Sequence, residues 1–238
     1  FRADDVMQIS NICKGSKGHS LQWIQRQAKD RWVRRAHERL YRSRAAFKLK
    51  QLDVRFSILT RKAVVLDLGC HAGGWSQIVL ERVNSREGLV IGVDKILMEP
   101  LENHHFVQGD IENESTIRQV EEILCGRQAS AVLADLAPRM SGSKIDDHIS
   151  SVELNRSALR WALKFLRSNG CFVTKIFQGG SMEMFKAELA QHFNKVRLAK
   201  PAASRQESSE IYLVCQGFAP SSPSANAAEK KEKVAKLR

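Results

Sequence analysis

Along most of the chain, short β-branched apolar runs alternate with stretches of helical period. The runs at 63–68, 89–93, 104–107, 130–134 and 170–177 predict strands, and the stretches at 75–84, 115–124, 150–167 and 181–191 predict helices between them. Strands that follow one another through helices pair in parallel and are covered on both faces, so the pattern predicts an α/β sheet of doubly wound type. The last two runs, 193–198 and 210–215, are joined by "AKPAASRQESS", which is too short and polar for a helical crossover, so the last strand should run antiparallel. Upstream, Tyr41, Ala45, Lys48 and Leu52 fall at i, i+4, i+7 and i+11, one helical face that turns Lys48 toward the domain.

The first predicted strand runs into "VVLDLGCHAGGWSQIV". Asp67 ends the strand, and Gly69, Gly73 and Gly74 lead to a helix starting near Trp75, the kind of βα turn that lets a ligand approach backbone. The spacing G-x-x-x-G-G matches neither the dinucleotide fingerprint nor the phosphate loop, so a pyrophosphate cradle is disfavoured. Asp67, Asp94 and Asp135 each follow an apolar run and Lys175 lies near the end of another, which places all four at the carboxyl edge of the sheet. Glu210 opens the strand that runs backwards, so it joins them. Asp94 stands where a carboxylate accepts hydrogen bonds from both hydroxyls of a ribose. A ribose without a pyrophosphate cradle points to S-adenosylmethionine as cofactor.

Composition adds a partner. Residues 1–62 hold 16 Lys and Arg against 5 Asp and Glu, whereas residues 63–218 hold 17 against 19. A basic N-terminal extension (1–40), with Trp23 and Trp32 set among its arginines, is therefore expected to bind a polyanion, RNA or DNA ahead of anionic lipid, and a basic tail (219–238) of low apolar content is expected to be disordered. The domain proper should span 41–218. No apolar run approaches the ~18 residues needed to span a bilayer, so no membrane partner is expected. Five scattered cysteines without a C-x-x-C pair suggest reduced thiols, and the adjacent His104 and His105, lacking ligand-spaced partners, suggest packing and no metal.

The segments "YRSRAAFKL", "DLGCHAGGWSQ", "VLADLAPRMSG", "FVTKIFQGG" and "SRQESSEIYLV", in this order, resemble the FtsJ-like family of RNA ribose 2′-O-methyltransferases. "KPAASRQESSEIYLV" and "DDH" most resemble its mitochondrial branch, which acts on large-subunit ribosomal RNA. The resemblance implies a Rossmann-like class I methyltransferase fold and a catalytic Lys-Asp-Lys-Glu set at Lys48, Asp135, Lys175 and Glu210. It further implies a cofactor pocket shaped by Gly69, Gly73, Gly74 and Trp75, with Asp94 on the ribose and Asp110 near the adenine; Asp67 and Asp135 complete the expected cofactor edge. It also implies an assembly particle of the large subunit as the setting, with ribosomal proteins or assembly factors as neighbours, in the mitochondrial matrix. Where the family usually shows "AAPGGWSQ", this chain has "CHAGGWSQ", with Ala72 at the proline position and His71 beside it. That departure leaves open a second role, an RNA-binding assembly factor with a weak or lost activity.

Overall fold

The computed structural model describes Gln27 and residues 30–220. The elements, in chain order, are α1 (Arg31–Glu38), α2 (Ala45–Phe56), β1 (Val64–Leu68), α3 (Gly74–Arg82), β2 (Leu89–Asp94), β3 (His105–Gln108) and α4 (Glu114–Leu124). They continue with β4 (Ala129–Ala134), α5 (Lys144–Phe165), β5 (Leu166–Phe177), α6 (Met182–Ala190), β6 (Phe193–Ala199) and β7 (Glu210–Phe218). The seven strands make one sheet in the order β3-β2-β1-β4-β5-β7-β6. The first five are parallel, and β7 runs antiparallel to both β5 and β6. β7 is inserted between its neighbours, and the register sets Lys175 against Tyr212 and Phe177 against Glu210.

Alternation along the strands sends apolar side chains to both faces, because successive residues point to opposite sides. Leu66, Leu68, Ile91 and Val93 pack with Val120, Leu124, Leu159, Trp161, Phe185 and Leu189 under α4, α5 and α6. Val65, Val90, Leu133, Val173 and Val214 pack with Leu49, Leu52, Ile78 and Val79 under α2 and α3. Each fully buried Leu, Ile or Val contributes about 1.5–3 kcal/mol of transfer free energy, so these two layers fix the strand ends that carry the polar residues.

Several element boundaries differ from the periodicity. The helix expected over 150–167 begins at Lys144, because the Ser143 side chain accepts from Asp146 N and Asp146 and Asp147 occupy the first turn. It stops at Leu166, which is already extended and pairs with Ala129. Tyr41 precedes α2 instead of lying on it; its ring meets Phe47 edge-on at 5.4 Å and its hydroxyl donates to Glu81 at 2.6 Å. The inward face of α2 is carried by Ala46, Lys48, Leu49, Leu52 and Phe56.

Part of the predicted extension is docked on the domain. Asp30 caps α1 by accepting from Trp32 N and forms ion pairs with Arg44 and Arg205. The Trp32 ring lies 5.1 Å from Phe47 and its Nε1 donates to Ala202 O at 3.1 Å. Trp32 is thus a packing residue of this domain. Trp23 and the predicted tail beyond Pro220 lie outside the described residues.

Candidate active site

The strand order reverses between β1 and β4, the place where open α/β sheets form a crevice at their carboxyl ends. β1 delivers Asp67 there, β2 ends on Asp94, and Asp135 follows β4 directly. β5 brings Lys175, and antiparallel β7 brings Glu210 to the same edge.

The four residues expected to do the chemistry come together as two ion pairs. Lys175 Nζ lies 2.9 Å from Asp135 Oδ1, with the Asp135 carbonyl at 3.2 Å. Lys48 Nζ lies 2.6 Å from Glu210 Oε1. These side chains are only 11–14% exposed, dry enough to strengthen the pairing yet open at one side. Tyr212, which no sequence motif singled out, links the pairs. Its hydroxyl donates to Asp135 Oδ1 at 3.0 Å, and Lys48 Nζ sits 5.8 Å from its ring centroid. Burial and the Asp135 carboxylate push the Tyr212 phenol well above its ordinary value, so it stays a donor. Tyr212 lies within the "SRQESSEIYLV" segment, two residues after Glu210 on the same strand face, and that spacing is the signal that could have given it a role.

The βα turn is built as its glycines suggest. Gly73 caps α3 at φ 102, a backbone conformation that L side chains rarely adopt. Gly74 serves close packing: a Cβ there would stand 2.3 Å from Ser43 Oγ on the approach to α2. Gly69 is at φ +76 under the Leu136 side chain. Trp75 lies beneath the turn, buried, with Nε1 donating to Ala45 O and its ring 5.8 Å from Tyr212. Asp94 holds the turn from the side: Oδ2 accepts from His71 N at 2.9 Å and Oδ1 from Ile96 N at 2.8 Å. Each oxygen keeps a lone pair for a ligand hydroxyl. Gly109 N donates to Asp94 O at 2.9 Å, which brings Asp110 alongside. Burial works to raise the Asp110 carboxyl, but Lys95 at 2.8 Å and the Glu112 N–H hold it below the usual range.

Asp67 is fully buried. Ser76 Oγ donates to Oδ2 at 2.7 Å, while Oδ1 has no partner among the described residues. Burial, with smaller contributions from Asp135 and Asp94 against the Ser76 hydrogen bond, pushes this carboxyl up to about 7. Behind the turn, His104 packs over Gly92, both ring nitrogens unpartnered among the described residues, and burial pushes it down to about 4.

Three residues of α5 support the edge and were not foreseen in that role. Asp147 accepts from Ser141 N at 2.6 Å and pins the loop after Asp135. His148 Nδ1 donates to Phe177 O at 2.8 Å and Nε2 accepts from Ser181 N at 3.0 Å, which pins the loop after Lys175. Asn155 Nδ2 donates to the Lys175 carbonyl at 2.8 Å. A cavity of about 910 Å³ opens onto Lys48 and Glu210 between α1, the start of α2 and residues 205–210. His37, Arg44 and Arg205 line it beside Glu207, a predominantly basic approach suited to a polyanion.

A sequence model described as FtsJ-like methyltransferase matches residues 41–218. The chain is 43% identical over 204 residues to the ribosomal RNA large subunit methyltransferase E of Acidiphilium cryptum, covering 86% of this chain and 89% of that one. It is also 43% identical over 189 residues to the protein of the same name from Methanothrix thermoacetophila, covering 79% and 72%. Among solved structures, a ribosomal RNA methyltransferase of Plasmodium falciparum matches with a TM-score of 0.69 at 35% identity, over 75% of this chain and 98% of that one.

Proposed function

The chain belongs to the FtsJ-like methyltransferase family, and from that membership we propose that it methylates a ribose 2′-hydroxyl of large-subunit ribosomal RNA. The observation that carries the reading is the Lys175–Asp135 pair, joined through Tyr212 to the Lys48–Glu210 pair, at the sheet edge beside the glycine turn. The relatives named for large-subunit ribosomal RNA support the substrate, and the basic cavity leading to Lys48 and Glu210 supports an RNA strand reaching the site.

The residues present fit S-adenosylmethionine. The carboxyl edge of the sheet is rich in acceptors, with Asp94, Asp110 and Asp135 at or after the strand ends and Asp67 Oδ1 without a partner among the described residues, which suits a nucleoside carrying hydroxyls and cationic groups. When bound, the cofactor supplies the methyl group and its thioether leaving group. Asp94 would hold the ribose hydroxyls and Asp110 the adenine end. Lys175, aimed by Asp135, stands to receive the proton of the RNA 2′-hydroxyl in its neutral amine form, or in its ammonium form to stabilise the alkoxide as it develops. Asp135 is in turn held by Tyr212, and Lys48 by Glu210, so the lysines are placed before the substrate arrives.

We read the compartment as the mitochondrial matrix and the substrate as an assembling particle, on "KPAASRQESSEIYLV" and "DDH". Localising the tagged full-length protein tests the compartment. Incubating the protein with labelled S-adenosylmethionine and either naked precursor RNA or immature particles tests the substrate. Tight RNA binding without label transfer would favour the assembly-factor role instead.

A further inference from the structure

The guanidinium of Arg42 is committed to backbone. Nη1 donates to Glu99 O at 2.5 Å and reaches Ala72 O at 3.5 Å, and Nη2 donates to Pro100 O at 2.7 Å. The Arg42 N–H donates to Gln77 Oε1 at 2.8 Å, which fixes the root of the side chain on α3. One residue therefore ties the turn after β1 to the loop after β2. These are the two segments that meet Asp94, through His71 N and Ile96 N. Gly73 leaves the space for this strut: a Cβ there would stand 3.0 Å from Arg42 Nη1 and 3.2 Å from Met98 Cε. Arg42, His71 and Ala72 also form the wall shared by the 910 Å³ cavity and a second, of about 630 Å³, beneath Leu97–Pro100.

Resting on the reading of Asp94 as the ribose acceptor, we infer that Arg42 is a positioning residue for the cofactor rather than a phosphate contact for RNA. Three of its five N–H donors already face carbonyls, and the planar fork reaches two adjacent carbonyls of one loop at once. A lysine ammonium at this place is a single point and cannot span both segments. With the strut gone, the 95–100 loop and the 71–73 turn separate, and Asp94 loses its fixed orientation without being touched.

The test compares wild type, Arg42→Lys and Gln77→Ala. Calorimetry gives the S-adenosylmethionine Kd, RNA affinity is measured across a salt series, and steady-state kinetics give KM for each substrate. Arg42→Lys should raise the cofactor Kd and the cofactor KM by roughly 5-fold or more, the scale of losing one to two hydrogen bonds, with the KM for RNA and the salt slope unchanged. Gln77→Ala should move the same quantities less, and decides the matter if Arg42→Lys fails to fold. Amide exchange in residues 95–101 should quicken in the variant without cofactor. Wild-type cofactor affinity in Arg42→Lys, together with a salt slope flattened by ~0.7, one phosphate on single-stranded RNA, would overturn the inference. Wild-type protein that binds no S-adenosylmethionine would overturn the cofactor reading itself, and the inference with it.

Discussion

Lys175 and Asp135 face each other across the ends of β5 and β4, Nζ to Oδ1 at 2.9 Å, and that same oxygen accepts the Tyr212 hydroxyl at 3.0 Å. The lysine is thus aimed by a carboxylate that is itself held in place. Lys175→Ala should lower single-turnover methyl transfer by a factor of roughly 10² or more, with cofactor and RNA affinity near wild type. Transfer within a few-fold of wild type would place the essential lysine elsewhere.

Tyr212→Phe removes only the hydroxyl from this arrangement. Asp135 keeps Lys175, so the loss should be modest, about 0.5–1.5 kcal/mol in stability and at most about tenfold in transfer rate. Urea unfolding and single-turnover kinetics on the same preparation measure both.

Asp94→Ala should weaken S-adenosylmethionine binding by about 1.5–3 kcal/mol if two charge-assisted hydrogen bonds to the ribose are lost. Because His71 N and Ile96 N also lose their acceptor, amide exchange at these two positions should rise in the absence of cofactor. Unchanged calorimetric affinity would reassign the ribose contact.

Two buried groups oppose each other with pH. Between about 4 and 7 the folded chain keeps a proton on Asp67 that the unfolded chain has released, so this group makes stability fall as pH rises. Between about 4 and 6.5 the unfolded chain protonates His104 while the folded chain keeps it neutral, so this group makes stability rise with pH. In the shared window the two slopes cancel in part. Asp67→Asn should unmask the rise and His104→Gln the fall, read from urea midpoints at three pH values. Curves parallel to wild type in both variants would contradict these protonation states.

The strands were legible because β-branched runs ending in Asp67, Asp94 and Asp135 carry their own signal, and Lys175 and Glu210 followed from the direction of their strands. Hydrophobic pattern could not reveal what depends on single polar contacts or on residues distant in sequence. Tyr41 keeps helical spacing with Lys48, yet the helix begins only at Ala45. α5 starts at Lys144 because Ser143 caps it, a local hydrogen bond that hydrophobic period does not register. Trp32 reads as RNA-facing by composition, whereas the Phe47 ring and the Ala202 carbonyl, remote in sequence, determine its surroundings.

The N-terminal region can be divided by truncation. Removing residues 1–26, which hold 4 Lys and Arg, should flatten the RNA salt slope by about 1–3 units, at ~0.7 per phosphate contact, and spare the cofactor site. Removing residues 1–40 should in addition lower the melting temperature, because Arg44 and Arg205 lose Asp30 and Phe47 loses the Trp32 ring. Equal melting temperatures for the two truncations would show that α1 adds nothing to the fold.

The most direct measurement is the position of the transferred methyl group. Precursor large-subunit RNA, naked or in immature particles, is incubated with protein and labelled S-adenosylmethionine, then hydrolysed with alkali, which spares the phosphodiester next to a 2′-O-methyl ribose. Label is expected in an alkali-resistant dinucleotide with wild-type protein and nearly absent with Lys175→Ala; such label would place the methyl group on a ribose 2′-oxygen. Label on a base, or no label on RNA that the protein demonstrably binds, would contradict ribose 2′-O-methylation by this site.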